Sequence, residues 1–177
     1  MKSLIPFLAG ALVALGAGWA AFPRVIYQTR PQPVDFSHKV HSDKAGAKCE
    51  DCHGFRDDGT FTGSPTLDKC AGCHTAAMGT TAAEKAFIEQ YVTPNREPQW
   101  RAYAQQPENV FFSHAAHVKL GKLQCDRCHG AIGSTDKLPA HSQDRISGYS
   151  RQTMSMDACI DCHRDNKLEH SCMDCHK

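Results

Sequence analysis

Residues 36–53 decide the fold, and they read FSHKVHSDKAGAKCEDCH: a Phe-Ser-His-x-x-His module followed by a Cys-x-x-Cys-His motif. The chain contains five such motifs, and together they use all ten of its cysteines. The five sets are Cys49, Cys52 and His53; Cys70, Cys73 and His74; Cys125, Cys128 and His129; Cys159, Cys162 and His163; and Cys172, Cys175 and His176.

This spacing has a chemical reason. Two thiols three residues apart lie on the same side of a helical turn, where they can add to the two vinyl groups of a haem. The histidine that comes next can then bind the iron as its proximal ligand. A zinc site would need Cys-x-x-Cys units in pairs, and a disulfide framework would not repeat one spacing five times. The motifs therefore predict five covalently bound haems c.

The composition points to an interior that side chains do not fill. The chain has 177 residues, which is typical of one domain, or of one domain with an appendage. Its hydrophobic content of 41% includes the ten cysteines and a long N-terminal run. The rest would bury only a thin core. We expect a mainly α-helical and irregular fold with short helices around five stacked haems and almost no β-structure. The formal charge of +1 argues against nucleic acid as a partner.

An uncharged run of nineteen residues, 4–22, lies between Lys2 and Arg24. About 20 apolar residues span a bilayer as a helix. A secretory signal with a cleavage site near Ala20 would have a similar appearance, and either would export the rest of the chain. We expect an uncleaved anchor over residues 1–23. Lys2 then lies in the cytoplasm and the haem domain in the periplasm, at a bacterial inner membrane.

The remainder of the chain divides into a tether and a haem domain. Residues 24–35 contain Pro31 and Pro33 and are predicted to form an extended tether before a domain at 36–177. The Phe-Ser-His-x-x-His module recurs at 112–117, and in both copies the next cysteine stands eight positions after the second histidine. This internal repeat predicts two related modules, at about 36–79 and 108–177.

A helix and a loop are expected between the modules. Residues 81–92 combine a capping-box pair, Thr81 and Glu84, with apolar residues at helical spacing. Residues 94–107 are typical of a loop, in which Trp100 and Tyr103 are interpreted as packing anchors rather than electron relays.

The six remaining histidines are candidates for the distal ligands of five irons. In each module the two histidines are three residues apart on one face of a helical turn, so they can reach two different haems. The four predicted distal ligands are His38, His41, His114 and His117. The fifth stays open between His141, a methionine (Met154 or Met156) and His170. Ligation by His and Met gives a higher potential than ligation by two histidines.

The modules resemble those of the cytochrome c3 and c7 class of multihaem cytochromes. In that class the first histidine of a module serves the haem immediately downstream. The resemblance implies that His38 serves the haem at Cys49 and Cys52, and that His114 serves the haem at Cys125 and Cys128. His41 and His117 would serve other haems.

A finer resemblance covers the downstream region. Trp100, Tyr103, Pro107, Val110, the second module and residues 156–164 (MDACIDCHR) are similar to the pentahaem subunit of alternative complex III. The hexahaem subunit of quinone reductase complexes is a close cousin, but it would need a sixth motif. The resemblance implies that the chain is an electron-transfer subunit of a membrane-bound quinol oxidoreductase. By itself it is not expected to be an enzyme. Such a subunit collects electrons from integral membrane and iron–sulfur subunits and passes them to a periplasmic cytochrome c or oxidase.

Three other functions fit the motifs less well. A membrane-anchored quinol dehydrogenase usually carries four haems and lacks these modules. A pentahaem nitrite reductase is several-fold larger and uses a Cys-x-x-Cys-Lys motif, which does not occur in this sequence. A freestanding electron shuttle is the third alternative.

Overall fold

A computed structural model describes residues 4–151 and 154–176 of the chain. Lys2, on which the predicted orientation rests, lies outside these residues. The α-helices are α1 (Leu4–Ile26), α2 (His38–Ala45), α3 (Cys49–Cys52), α4 (Leu67–Ala71), α5 (Ala82–Phe87), α6 (Asp126–His129), α7 (Met156–Asp165) and α8 (Cys172–Cys175). Two strands, β1 (Tyr27–Arg30) and β2 (His141–Asp144), complete the described part together with π-helical and 3₁₀ turns. The predicted fold class, mainly helical and irregular with almost no β-structure, is confirmed.

Helix α1 is long and apolar enough to cross a membrane, and none of its residues is buried in the rest of the protein. A signal sequence has the same length and composition. Pro23 lies in the last turn, where it has no N–H to donate to the Trp19 carbonyl. There the Arg24 guanidinium donates to the Ala20 carbonyl at 2.6 Å, as basic side chains do at helix C-termini.

The segment after α1 is fixed to the haem domain. The predicted tether at 24–35 differs from the structure, because its first three residues complete α1 and the next four form β1. β1 pairs antiparallel with β2, so that Tyr27 lies opposite Asp144 and Arg30 opposite His141. Ladder hydrogen bonds satisfy the extended backbone here. Helix α1 therefore leads into the domain through a hydrogen-bonded strand.

The two Phe-Ser-His-x-x-His modules have the same local structure at their start. Ser37 begins α2 by accepting a hydrogen bond from Val40 N at 3.1 Å, and Ser113 accepts one from Ala116 N at 3.2 Å. α2 is α-helical, whereas its counterpart is a π-helical segment, Ala115–Leu120.

The modules also contact each other. The Lys39 amide donates to the Thr135 carbonyl at 3.1 Å, and Ser42 Oγ donates to the Gly133 carbonyl at 3.4 Å. α2 therefore lies against the turn after the third Cys-x-x-Cys-His motif, and the two halves of the repeat form one body.

The helix predicted at 81–92 is present as α5 followed by a π-helical turn, Ile88–Val92. Only half of the predicted capping box forms. Thr81 Oγ1 accepts from Glu84 N at 3.2 Å, but the Glu84 carboxylate accepts from the amides of Met78 and Gly79, each at 2.8 Å. This carboxylate is turned away from the backbone of Thr81.

Side chains build very little core. Among the described residues, the buried ones are Leu67, Phe87, Pro98, Ser142 and Ser150. The accessible surface is 13284 Å², whereas a compact protein of 19.5 kDa exposes about 8,500 Å². The exposed α1 contributes part of the excess. The rest comes from a domain whose short helices are not held together by apolar side chains alone.

Trp100 is part of a small packed cluster beside α4, as the packing interpretation predicts. Its indole Nε1 donates to the Pro65 carbonyl at 3.2 Å. Nearby, the Glu97 carboxylate accepts from the Leu67 amide at 2.9 Å and so caps the start of α4. These bonds tie the loop at 94–107 to the second haem motif.

We expect Trp100→Phe to lower stability by about 1 kcal/mol, because the aromatic ring stays while its hydrogen bond is lost. The haem potentials should not change. Guanidinium unfolding and a redox titration of the haem-loaded protein measure the two quantities. A large change in electron-transfer rate at unchanged stability would contradict the packing role.

Candidate haem sites

Each Cys-x-x-Cys-His motif forms one helical turn. In four motifs the histidine amide donates to the carbonyl of the first cysteine, four residues earlier, at 2.8 to 3.0 Å: His53 to Cys49, His74 to Cys70, His129 to Cys125 and His176 to Cys172. The remaining motif lies inside α7. The turn brings both cysteines and the histidine to one side, as covalent haem attachment requires.

Four of the predicted distal histidines face a proximal histidine. The ring centroids are 6.5 Å apart for His38 and His53, 6.0 Å for His41 and His74, 6.4 Å for His114 and His129, and 6.1 Å for His117 and His163. Metal–imidazole bonds are about 2 Å long, so two imidazoles on opposite sides of one ion have centroids about 6 Å apart. The four pairs therefore have the separation that an iron between them needs.

Hydrogen bonds at Nδ1 orient most of these rings. His53 contacts the Gly63 carbonyl at 2.8 Å, His163 the Glu169 carbonyl at 2.6 Å and His176 the Asn109 carbonyl at 3.2 Å. A proton on Nδ1 leaves Nε2 free as the iron ligand.

The second histidine of each module is held in the same way in both copies. His41 Nδ1 contacts the Ser37 carbonyl, and His117 Nδ1 contacts the Ser113 carbonyl, each at 2.8 Å. The module phenylalanine stacks on the same ring, at 4.4 Å between Phe36 and His41 and 4.6 Å between Phe112 and His117. The phenylalanine of each module thus fixes the ring plane of a predicted distal histidine.

The protein environment favours the neutral form of the first histidine of each module, His38 and His114. Burial lowers the pKa of His38, and the nearby His53 and His41 lower it further. Burial likewise lowers the pKa of His114, and the nearby His129 and His117 lower it further. Iron binds the neutral imidazole, so the protein environment and metal binding favour the same protonation state.

The cysteines show which sites are neighbours; their thiols occupy the positions of the thioether sulfurs of the haem-loaded protein. Burial raises the pKa of the Cys70 thiol, and the nearby Cys52 thiol raises it further, so the first and second sites are neighbours. Burial likewise raises the pKa of the Cys125 thiol, and the nearby Cys49 thiol raises it further, so the first site also lies beside the third.

Cysteine neighbours also extend the row to the last two sites. Burial raises the pKa of the Cys159 thiol, and the nearby thiols of Cys175 and Cys128 raise it further. The fourth site therefore lies between the third and the fifth. The spatial order is second, first, third, fourth, fifth, which differs from the order along the chain.

Aromatic residues strengthen the contact between the first and third sites. Phe61, a few residues after the first motif, stacks on His114 at 4.1 Å, and the Lys119 ammonium lies 4.4 Å from the centre of the Phe55 ring. Residues of the first module therefore pack directly against the predicted distal histidine of the third site.

The candidates for the fifth distal ligand differ in exposure. His141 lies in β2, and within residues 4–151 and 154–176 its buried Nδ1 has no hydrogen-bond partner. His170 is exposed and bonds the nearby Leu168 carbonyl at 2.9 Å. Met156 is 61% exposed, and Met154 is half-buried. Four proximal histidines face the imidazole of a predicted distal histidine. The fifth proximal histidine, His176, has no such partner assigned, and these residues are the candidates for it.

One functional residue was missed in the sequence. Glu84 Oε1 lies 3.0 Å from His74 Nδ1, with the side chains 12% and 21% exposed respectively. The Met78 amide chiefly holds the pKa of Glu84 below its ordinary value, and the Gly79 amide and His74 add to this. The capping-box pattern predicts a hydrogen bond from the Thr81 amide to the Glu84 carboxylate. No feature of the sequence pairs Glu84 with a histidine ten residues earlier.

The fold and these sites define a multihaem cytochrome c. Residues 20–99 match the class III cytochrome c family, and residues 110–177 match the family of cytochrome c7 and related cytochromes c. The chain is 42% identical over 187 residues to the menaquinone reductase multihaem cytochrome c subunit of Nitratidesulfovibrio vulgaris, covering 97% of this chain and 89% of that protein. The chain belongs to the same family of multihaem cytochrome c subunits.

The relationship bears out the c3/c7 part of the predicted resemblance. The relative is a subunit of a menaquinone reductase. The narrower resemblance to alternative complex III stays a prediction.

We expect His41→Ala to convert one haem from low spin to high spin, because the variant removes one of the two imidazoles around a single iron. The neighbouring Lys39→Ala, on the same helix but exposed, should leave all haems low spin. EPR spectra of the oxidised proteins measure this. An unchanged spectrum in His41→Ala would exclude His41 as a ligand.

Proposed function

We propose that this chain is the electron-transfer subunit of a membrane-bound, quinone-linked oxidoreductase, and that it carries five haems c in one continuous row. The observation that carries the proposal is the closeness of the cysteines of neighbouring motifs, combined with imidazoles that face each other at 6.0 to 6.5 Å. Haem supplies a one-electron carrier at each site. Residues at either end of the row can then exchange electrons with different partners.

The protein's contribution is to hold each iron in one geometry in both oxidation states. In the pairs His41–His74 and His117–His163 both Nδ1 atoms are already hydrogen-bonded, so these imidazoles need little rearrangement when an electron arrives. The proposed distal pairs are His38 with His53, His41 with His74, His114 with His129 and His117 with His163. Attachment through all ten cysteines and proximal ligation by the five motif histidines complete the proposed site.

We assign the fifth distal ligand to His141. Its Nδ1 is buried, and the ring lies in a strand that is hydrogen-bonded along its length, whereas His170 and Met156 are exposed. A half-buried methionine, Met154, is the second candidate.

The proposed location is the periplasmic face of the inner membrane, with α1 as an uncleaved anchor. Proposed partners are integral membrane and iron–sulfur subunits of the same complex, together with a periplasmic cytochrome. The name of the relative, menaquinone reductase, favours electron flow from the periplasmic carrier towards menaquinone. This direction is opposite to the flow that the likeness to alternative complex III implies.

We predict that His141→Ala produces a high-spin signal from one haem, because it removes the fifth distal ligand. His170→Ala is the matched control and should leave the EPR spectrum unchanged. Near-infrared magnetic circular dichroism of the wild-type protein should lack the iron–methionine band. If that band is present and the EPR spectrum of His141→Ala is unchanged, the fifth distal ligand is a methionine and not His141.

Purification from native membranes tests the function. A C-terminally tagged chain should bring down integral membrane and iron–sulfur subunits, and the preparation should reduce a menaquinone analogue with electrons from a reduced periplasmic cytochrome. A version in which a cleavable export signal replaces α1 should keep its haems but lose the link to quinone. A single-subunit preparation that exchanges electrons with quinol at full rate would contradict the proposal.

A further inference from the structure

His74 differs from the other oriented histidines in its hydrogen-bond partner. In the part of the chain that the structure describes, the Nδ1 contacts of His41, His53, His117, His163 and His176 go to main-chain carbonyl oxygens. The contact of His74 goes to a carboxylate oxygen, Glu84 Oε1, at 3.0 Å. A carboxylate draws the Nδ1 proton more strongly than a neutral carbonyl does, and so makes Nε2 a more basic ligand.

The carboxylate is held in place independently of the histidine. Glu84 Oε1 accepts from Met78 N and Oε2 accepts from Gly79 N, each at 2.8 Å. Its side chain is 12% exposed, so water screens the charge only weakly. Phe87, one turn further along the helix, packs edge-on against the His74 ring at 6.0 Å and lies 9% exposed. The pair is thus a rigid, partly desolvated unit beside the second haem site.

We propose that Glu84 is a positioning residue that lowers the reduction potential of the haem attached at Cys70 and Cys73 by strengthening the His74–iron bond in the oxidised state. The inference rests on the proposed function, because it requires a haem at this site with His74 as a ligand. A more basic imidazole and a nearby negative charge both stabilise ferric over ferrous iron. The second haem stands at one end of the row, so Glu84 sets the potential of a terminal carrier.

Glu84→Gln tests the proposal in the haem-loaded, full-length protein. The amide oxygen can still accept from Met78 N and His74 Nδ1, whereas the negative charge and the acceptor for Gly79 N are lost. One of the five midpoint potentials should move to a more positive value, and one low-spin EPR component should shift with it.

Two control variants separate the imidazole effect from simpler ones. Glu97→Gln also removes a carboxylate beside the second site, but Glu97 bonds the Leu67 amide and not a histidine. Thr81→Ala weakens the start of α5 without altering the carboxylate. Both should leave the potentials and the EPR component nearly unchanged. Equal shifts in Glu84→Gln and Glu97→Gln would overturn the proposal in favour of a general charge effect, and equal shifts with Thr81→Ala would overturn it in favour of a loosened helix.

A measurement on the wild-type protein keeps the test decisive if the Glu84 variant does not mature. In the fully reduced, diamagnetic protein labelled with ¹⁵N-histidine, one axial Nδ1–H resonance should lie apart from the others, towards imidazolate character. Uniform resonances would overturn the proposal. Intact mass measures haem attachment separately: a chain with Cys70 and Cys73 unmodified would contradict the proposed function itself, whereas five haems without the shift would contradict only the role of Glu84.

Discussion

The separation of about 6 Å between facing imidazoles is the constraint on which the rest of the structure depends. It requires that two histidines from distant parts of the chain approach along one line. The motif turns fix one histidine of each pair, and the Phe-Ser-His-x-x-His modules fix the other. A serine cap, a main-chain acceptor and a stacked phenylalanine hold the module rings, and these contacts are nearly identical in the two copies.

The same constraint explains why the domain has so small a core of side chains. With few buried residues, the chain cannot offset the entropy of ordering its short helices by apolar burial alone. Covalent attachment at ten cysteines and axial bonds between sequence-distant histidines would cross-link the chain at many points. The cofactor would then be both the interior of the fold and the means of its function, and metal–ligand geometry would replace the packing that stabilises other domains.

The sequence predicted the parts of this arrangement that depend on local spacing. The motif turns, the module caps and the helix around Phe87 depend on residues within a few positions of each other. The order of the sites could not be predicted, because it depends on contacts such as Cys49 with Cys125 that no periodicity encodes. The tether was misjudged for the same reason: Tyr27–Arg30 look like a linker until their partner strand, more than a hundred residues away, is known. In the sequence Glu84 matches the capping-box pattern with Thr81, whereas in the fold its carboxylate contacts His74.

The central claim is that five haems form one row in the order second, first, third, fourth, fifth. Anomalous diffraction at the iron absorption edge, on crystals of the haem-loaded protein, tests it most directly. We predict five iron positions, with the iron between His38 and His53 lying between those of the second and third sites. Fewer than five irons, or an iron of the first site at the end of the row, would contradict the claim.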